Sequence, residues 1–227
     1  MRGSPFREAA VGAVRRVWPG AFRTERSPEQ LLRLAVDLTR AVVEGRRAPV
    51  DALFREIESP PPTLHWAPDD DFLAGSSPLR FLNRFWHDHR AAADLPPSSA
   101  IDPFALGPAL GILMLLEPVD GGNDFIYRLY GTVIAEYSGI EMTGKRVWDV
   151  PAPLVAAYFL ATYRAVLDQR RPLFAHHTTH HDIQIARWDR LILPFADGDG
   201  RVDRLLVGNV PSIRDGADGS GAGVTAR

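Results

Sequence analysis

The sequence predicts an α+β protein, five strands with flanking helices, that carries an α-helical extension at its N-terminus. Three observations predict it. The stretch ILMLLEPVDGGNDFIYRLYG, residues 112–131, places a turn of Asp120, Gly121, Gly122 and Asn123 between two strand-like runs. Gly-Gly beside Asp and Asn supplies positive-φ positions at little steric cost, so the stretch is a β-hairpin. A long helical segment and three more strand-like runs follow it. Near the N-terminus, well ahead of the hairpin, lies a helix with full start and stop signals.

In order, residues 5–18 carry a weak helical pattern through Phe6, Ala10, Val14, Val17 and Trp18, closed by Pro19 and Gly20. The next helix is clearer. Ser27 offers an N-cap, Pro28 suits the first helical position, and Gln30 occupies the capping-box position. Leu31, Leu34, Ala35, Leu38, Ala41 and Val42 then recur at helical spacing and Gly45 ends the pattern. Such an apolar stripe must be covered by something, either the rest of the chain or a partner. Leu53, Phe54 and Ile57 mark a short helix. Residues 59–71 read as a linker, because Pro60, Pro61 and Pro62 cannot continue a helix. The run Asp69, Asp70, Asp71 lacks the alternate spacing of a calcium loop and reads as solvated.

Ser77 and Pro78 repeat the N-cap and N1 signature and open a helix to about residue 93, with Leu79, Leu82, Phe85, Trp86 and His89 along one stripe. Two prolines and two glycines then punctuate residues 101–111. The first hairpin strand, 112–119, is almost wholly apolar, which suits a central strand covered on both faces. In the second, Phe125, Tyr127 and Leu129 alternate with Ile126, Arg128 and Tyr130. Residues 132–150 read as short helical turns. A longer helix starts near Pro153, buries Val155, Tyr158, Phe159, Thr162, Tyr163 and Val166, and stops at Pro172. Strands are expected at 173–182, at 186–196 with Leu191, Leu193 and Phe195 on one face, and at 202–211. The Gly-rich tail, 214–227, reads as disordered.

Composition narrows the function. The chain is 45% hydrophobic and 24% charged, ordinary values for a soluble globular protein. A net charge of −2 argues against a nucleic-acid partner engaged through bulk charge. No apolar run reaches membrane-spanning length and the N-terminus lacks a signal-peptide core, so the expectation is a cytoplasmic protein without a membrane partner. There are no cysteines, which removes disulfides, thiolate nucleophiles and cysteinyl cofactor adducts. No G-x-S-x-G, P-loop or dinucleotide fingerprint is present, and the expectation is a protein that is not an enzyme.

The order of elements, strand–strand–short helices–long helix–three strands, resembles that of the PAS-domain superfamily. IDPFALGPALGILMLLE (101–117), FIYRLYGT (125–132), Thr143 with Gly144, the helix before RRPLF (170–174), DRLILPF (189–195) and VDRLLVG (202–208) resemble a PAS-like family of mostly uncharacterised proteobacterial proteins. The likeness covers roughly residues 80–213. It implies a PAS-like five-stranded antiparallel sheet over 71–213 with its core at 101–213. Residues 1–70 then form the helical extension and linker. It also implies a sensory or regulatory module that binds a small organic ligand or a protein partner and signals by contact through flanking helices, with no output domain of its own. Homodimerisation or a regulatory partner would act through the N-terminal helices. Covalent flavin adducts and a hydroxycinnamoyl chromophore are excluded for want of cysteine. The absence of histidine from residues 153–169 argues against haem, while non-covalent flavin and other small ligands stay open.

Within such a domain Trp148, Tyr158 and Tyr163 would line the ligand pocket, although their ordinary role is core packing. Arg190 on a strand would favour a carboxylate or phosphate if it faced the pocket, and its face is not fixed by the sequence. Asn209, polar near the end of an apolar strand, suits a pocket hydrogen bond or a strand-end turn. Arg128 and Arg204 read as outward partners of acids such as Glu117 or Asp203. His176, His177, His180 and His181 form the sharpest lure for a metal, and with it an alternative reading as a metal-dependent small-molecule enzyme. On a strand, however, positions four apart lie about 13 Å from each other, and no metal ligands are expected from this cluster. A ligand-free structural or dimerisation domain is the third reading.

Overall fold

The apolar hairpin sets the frame of the computed structural model, which describes residues 24–90, 93–178 and 185–213. The expected helix at 5–18, the tail at 214–227, and His180 and His181 lie outside the described residues. In chain order the elements are α1 (Pro28–Val43), α2 (Arg47–Glu56), β1 (Thr63–Trp66), α3 (Ser77–Arg90), β2 (Leu113–Val119) and β3 (Asp124–Tyr130). They are followed by α4 (Thr132–Ser138), α5 (Pro153–Gln169), β4 (Leu173–Thr178), β5 (Ile185–Ala196) and β6 (Val202–Ile213). The strands make one antiparallel sheet ordered β1-β4-β5-β6-β2-β3.

Six strands stand where the sequence predicts five. The extra one is β1, which comes from the segment read as a linker. Its four residues pair with β4, Thr63 opposite His176 and Trp66 opposite Leu173, and so cover an edge that would otherwise expose unpaired backbone groups. The Trp66 indole Nε1 donates to the Val42 carbonyl at 3.4 Å, tying the strand to the end of α1. The acidic run after it holds the chain in place: Asp69 accepts from the Phe72 amide at 2.7 Å and Asp70 pairs with Arg84.

The apolar β2 lies between β6 and β3, and both sheet faces are covered. Met114 and Leu116 face one core with Phe125, Ile192, Leu205 and Val207, under α5, α1 and α2. Leu113, Leu191, Leu193, Phe195 and Leu206 face the other, under α3. The α3 stripe is Leu79, Leu82, Phe85 and Trp86, with Asn83 rather than His89 completing it; Asn83 donates to the Pro68 carbonyl at 3.3 Å, whereas His89 is exposed. At the hairpin, Asp120, Gly121 and Gly122 all take positive φ, at 51°, 66° and 83°.

The expected alternation in β3 breaks at Arg128. Leu116 faces Tyr127 but Leu115 faces Leu129, so Arg128 is the extra residue of a β-bulge. Phe125 and Tyr127 point to the α5 side. Beyond the bulge Leu129 packs on the opposite core and Tyr130 returns to the α5 side. A strict period of two puts Tyr130 on the wrong face.

Helix α5 is buried nearly all round, from Leu154 to Tyr163 without interruption. The sheet takes one side and α1 the other, so the stripe of residues 31–42 is spent on covering α5. The capping box that starts α1 is present: the Gln30 amide donates to Ser27 Oγ at 3.3 Å and the Ser27 amide to Gln30 Oε1 at 2.8 Å.

Gly131 joins β3 to α4. A Cβ there would stand 2.3 Å from the Gly111 carbonyl oxygen and 2.9 Å from that of Leu113, both backbone atoms that cannot swing away. Gly131→Ala should therefore cost roughly 1–3 kcal/mol in urea unfolding, the range of overpacking substitutions. Gly75→Ala, where a Cβ meets nothing within 4 Å, should leave the midpoint nearly unchanged.

Candidate functional site

The site is built where three strands pass under α5. Antiparallel register sets His177 opposite Trp188 and Arg190 opposite Asn209. Trp188, Arg190 and Ile192 alternate onto the α5 side of β5, while Asp189 and Leu191 go to the other. The cavity that results holds about 40 Å³ and is lined by Tyr130, Ile134, Ser138, Ile140, Val150, Phe159, His177, Trp188, Arg190 and Asn209. Space of that size admits a few waters. It is far below what a flavin or a haem needs.

Among the described lining residues Arg190 is the one charged group, and it is only 5% exposed. Its guanidinium carbon lies 4.0 Å from the Phe159 ring centroid, a cation–π contact. Its Nε donates to Asn209 Oδ1 at 3.4 Å, a long hydrogen bond, and its Nη1 is buried with no hydrogen-bond partner. Burying an ion costs several kcal/mol. A desolvated cation–π contact returns about 2 kcal/mol, which leaves the charge undercompensated.

The nearest carboxylate on the strand is committed elsewhere. Asp189 takes His176 Nδ1 at 2.7 Å and Arg187 Nη2 at 3.3 Å on the opposite face. His176 and His177 therefore face opposite sides of β4, which separates the two members of the histidine cluster that lie within the described residues. Among those residues no group of three His, Asp or Glu is placed to hold a metal ion.

His177 is buried, and its Nε2 lies 3.0 Å from the Tyr158 hydroxyl, a hydrogen bond. Burial, then the positive charge of Arg190 and the neighbouring His176, hold its pKa well below the ordinary imidazole value. Burial also pushes the Tyr130 phenol up to about 12 and raises those of Tyr127 and Tyr158 above the ordinary phenol value. All four groups are thus neutral near pH 7, and the positive charge in the cavity is that of Arg190. Tyr130 and Ser138, both half-buried lining residues, have their oxygens 3.5 Å apart.

Of the five pocket residues named from the sequence, Arg190 and Asn209 stand side by side in the cavity wall. Trp148, Tyr158 and Tyr163 do not line it. Trp148 is half-buried against the core, Tyr163 packs edge-on to Phe125, and Tyr158 stands behind the lining residues His177 and Phe159. Asn209 lies within β6 rather than at its end. Arg128 and Arg204 pair with Glu117 at 2.8 and 3.4 Å, outside the cavity. Phe159, His177 and Trp188 were missed as lining residues, although the alternation that carries Arg190 also carries Trp188.

The sequence profile of the PAS domain matches residues 75–209, more than half of the chain. This chain belongs to the PAS domain family. The antiparallel sheet with its flanking helices is that fold, with β1 added at one edge. PAS domains are sensory and regulatory modules, and the family is in general not enzymatic. Among solved structures, an RNA-binding light-oxygen-voltage receptor is similar at 14% identity with a TM-score of 0.37, over 91% of this chain and 58% of that one. No curated protein matches. No helix of the described residues is long and apolar enough to cross a membrane.

The His177 geometry has a pH consequence. Below about pH 6.5 the unfolded chain protonates this imidazole and the folded chain does not, so stability falls as pH drops through that value. Urea unfolding between pH 7.5 and 5 should show a loss approaching ~1.4 kcal/mol per pH unit from this group. His177→Gln should flatten the slope.

Proposed function

We propose that this PAS domain is a sensory or regulatory module that takes a small ligand into the cavity between α5 and the sheet and passes the change on by contact through α1. The observation that carries this reading is the sandwiching of α5. Phe159 on α5 lines the cavity, and α1 lies along the outer side of the same helix. A ligand that moves Phe159 pushes on a helix with no solvent face to yield into. The displacement then reaches α1, whose exposed side presents Leu32 and Val36 at 41% and 36% exposure. A regulatory partner or a second copy of the chain would read the change at that outward face. The 31–42 stripe is buried on α5 and is not free for such a role.

The small cavity volume favours a second reading, a structural domain whose cavity holds only water. Native mass spectrometry of freshly purified protein separates the two. A bound small molecule of defined mass supports sensing, and clean apo protein on repeated preparation supports the structural reading. Where a ligand is found, its removal should speed amide hydrogen exchange in α5 and α1 together by several-fold while α3 stays unchanged. Exchange that alters in α5 alone would break the proposed route to α1.

A further inference from the structure

We infer that the cavity is a receptor for a small organic monoanion, a carboxylate with a short aliphatic body, held by Arg190. The inference rests on the sensory reading above and names the class of ligand that reading leaves open. Its starting point is a charge without a counter-charge. Arg190 is 95% shielded from solvent, its β6 cross-strand neighbour is the neutral Asn209, and among the described residues no carboxylate lines the cavity. An Asp at position 209 would have closed an internal ion pair. Asn209 instead takes one Nε–H through a long bond and leaves the charge in place.

The remaining donor fits the same conclusion. Nη1 is buried and unpartnered, and the guanidinium carbon lies 4.0 Å from the Phe159 ring centroid, which offers its N–H groups no hydrogen-bond acceptor oxygen. A carboxylate accepting from Nη1 satisfies the orphan donor and neutralises the buried charge in one contact. Phosphate-sized dianions are poorly matched, because the cavity offers one cation and His177 is held neutral.

The rest of the lining sets the body of the ligand. Ile134, Ile140, Val150 and Trp188 make an apolar floor, and Tyr130 and Ser138 bring two hydroxyls to the lining. A cavity of about 40 Å³ leaves room for a carboxylate with a tail of one to a few carbons. A bare inorganic anion would meet the charge and leave the apolar floor empty.

Isothermal titration of the full chain with propionate, propionamide and chloride tests this directly. The expected result is one propionate site per chain, with propionamide and chloride each at least tenfold weaker. Arg190→Gln should weaken propionate at least tenfold while circular dichroism shows the fold retained. Arg190→Lys, which keeps the charge and loses the planar fork, should fall between. Propionamide binding as tightly as propionate overturns the inference, and that comparison uses the unaltered protein, so it stands even if the variants fail to fold. Equal binding by Arg190→Gln, chloride matching propionate, or no propionate binding at all also overturns it. If propionate fails while native mass spectrometry finds a neutral adduct, the monoanion class falls and the sensory reading survives. If both fail, both fall.

Discussion

The architecture depends on α5 being covered on two sides. A helix apolar from Leu154 to Ala161 with no polar face cannot lie on a sheet with its back to water. The back is covered by α1, whose apolar stripe has the matching helical period. That single packing requirement makes α1 part of the core. It also fixes Phe159 against the sheet, and with it the floor on which the Arg190 guanidinium rests.

The cavity follows from imperfect filling of the same layer. Over β2 and β6 the inner face is Met114, Leu116, Leu205 and Val207, all buried in one apolar cluster. Where β5 and β6 pair Arg190 with Asn209, polar residues replace apolar ones, and Ile134 and Ser138 of the short α4 make one wall. The Arg128 bulge brings Tyr130 back to this side and Gly131 lets the chain turn into α4 against the Gly111 backbone. A polar pair, a bulge and a tight glycine thus act together to leave a gap. The cost is a buried cation with an open donor, the kind of undercompensated group that structures keep where something is bound.

The two sides of β5 handle charge differently. Asp189 is satisfied by His176 and Arg187 on one face, while one residue along Arg190 is left with a long bond and a ring on the other. Adjacent residues of opposite charge point apart because the strand alternates, and cannot neutralise each other.

The sequence by itself determined most of the element order. The Ser27 capping box, the Asp120 to Asn123 turn, the apolar 112–119 run and the helix ended by Pro172 act through local backbone preference and periodicity, and these are visible in a few neighbouring residues. It also marked Arg190 and Asn209 as polar residues in apolar strands. Three matters were decided only by the tertiary structure. Residues 63–66 became a strand because β4 offered an unpaired edge, against a local reading of linker. Tyr130 changed face because β3 had to match the register of β2, which inserts Arg128 as a bulge. Trp148, Tyr158 and Tyr163 gave way to Phe159, His177 and Trp188 as lining because a cavity wall is made by residues distant in sequence. Which of several buried aromatics faces the gap depends on how α5 is rotated against the sheet, and the packing of α1 and α2 on its other side settles that rotation.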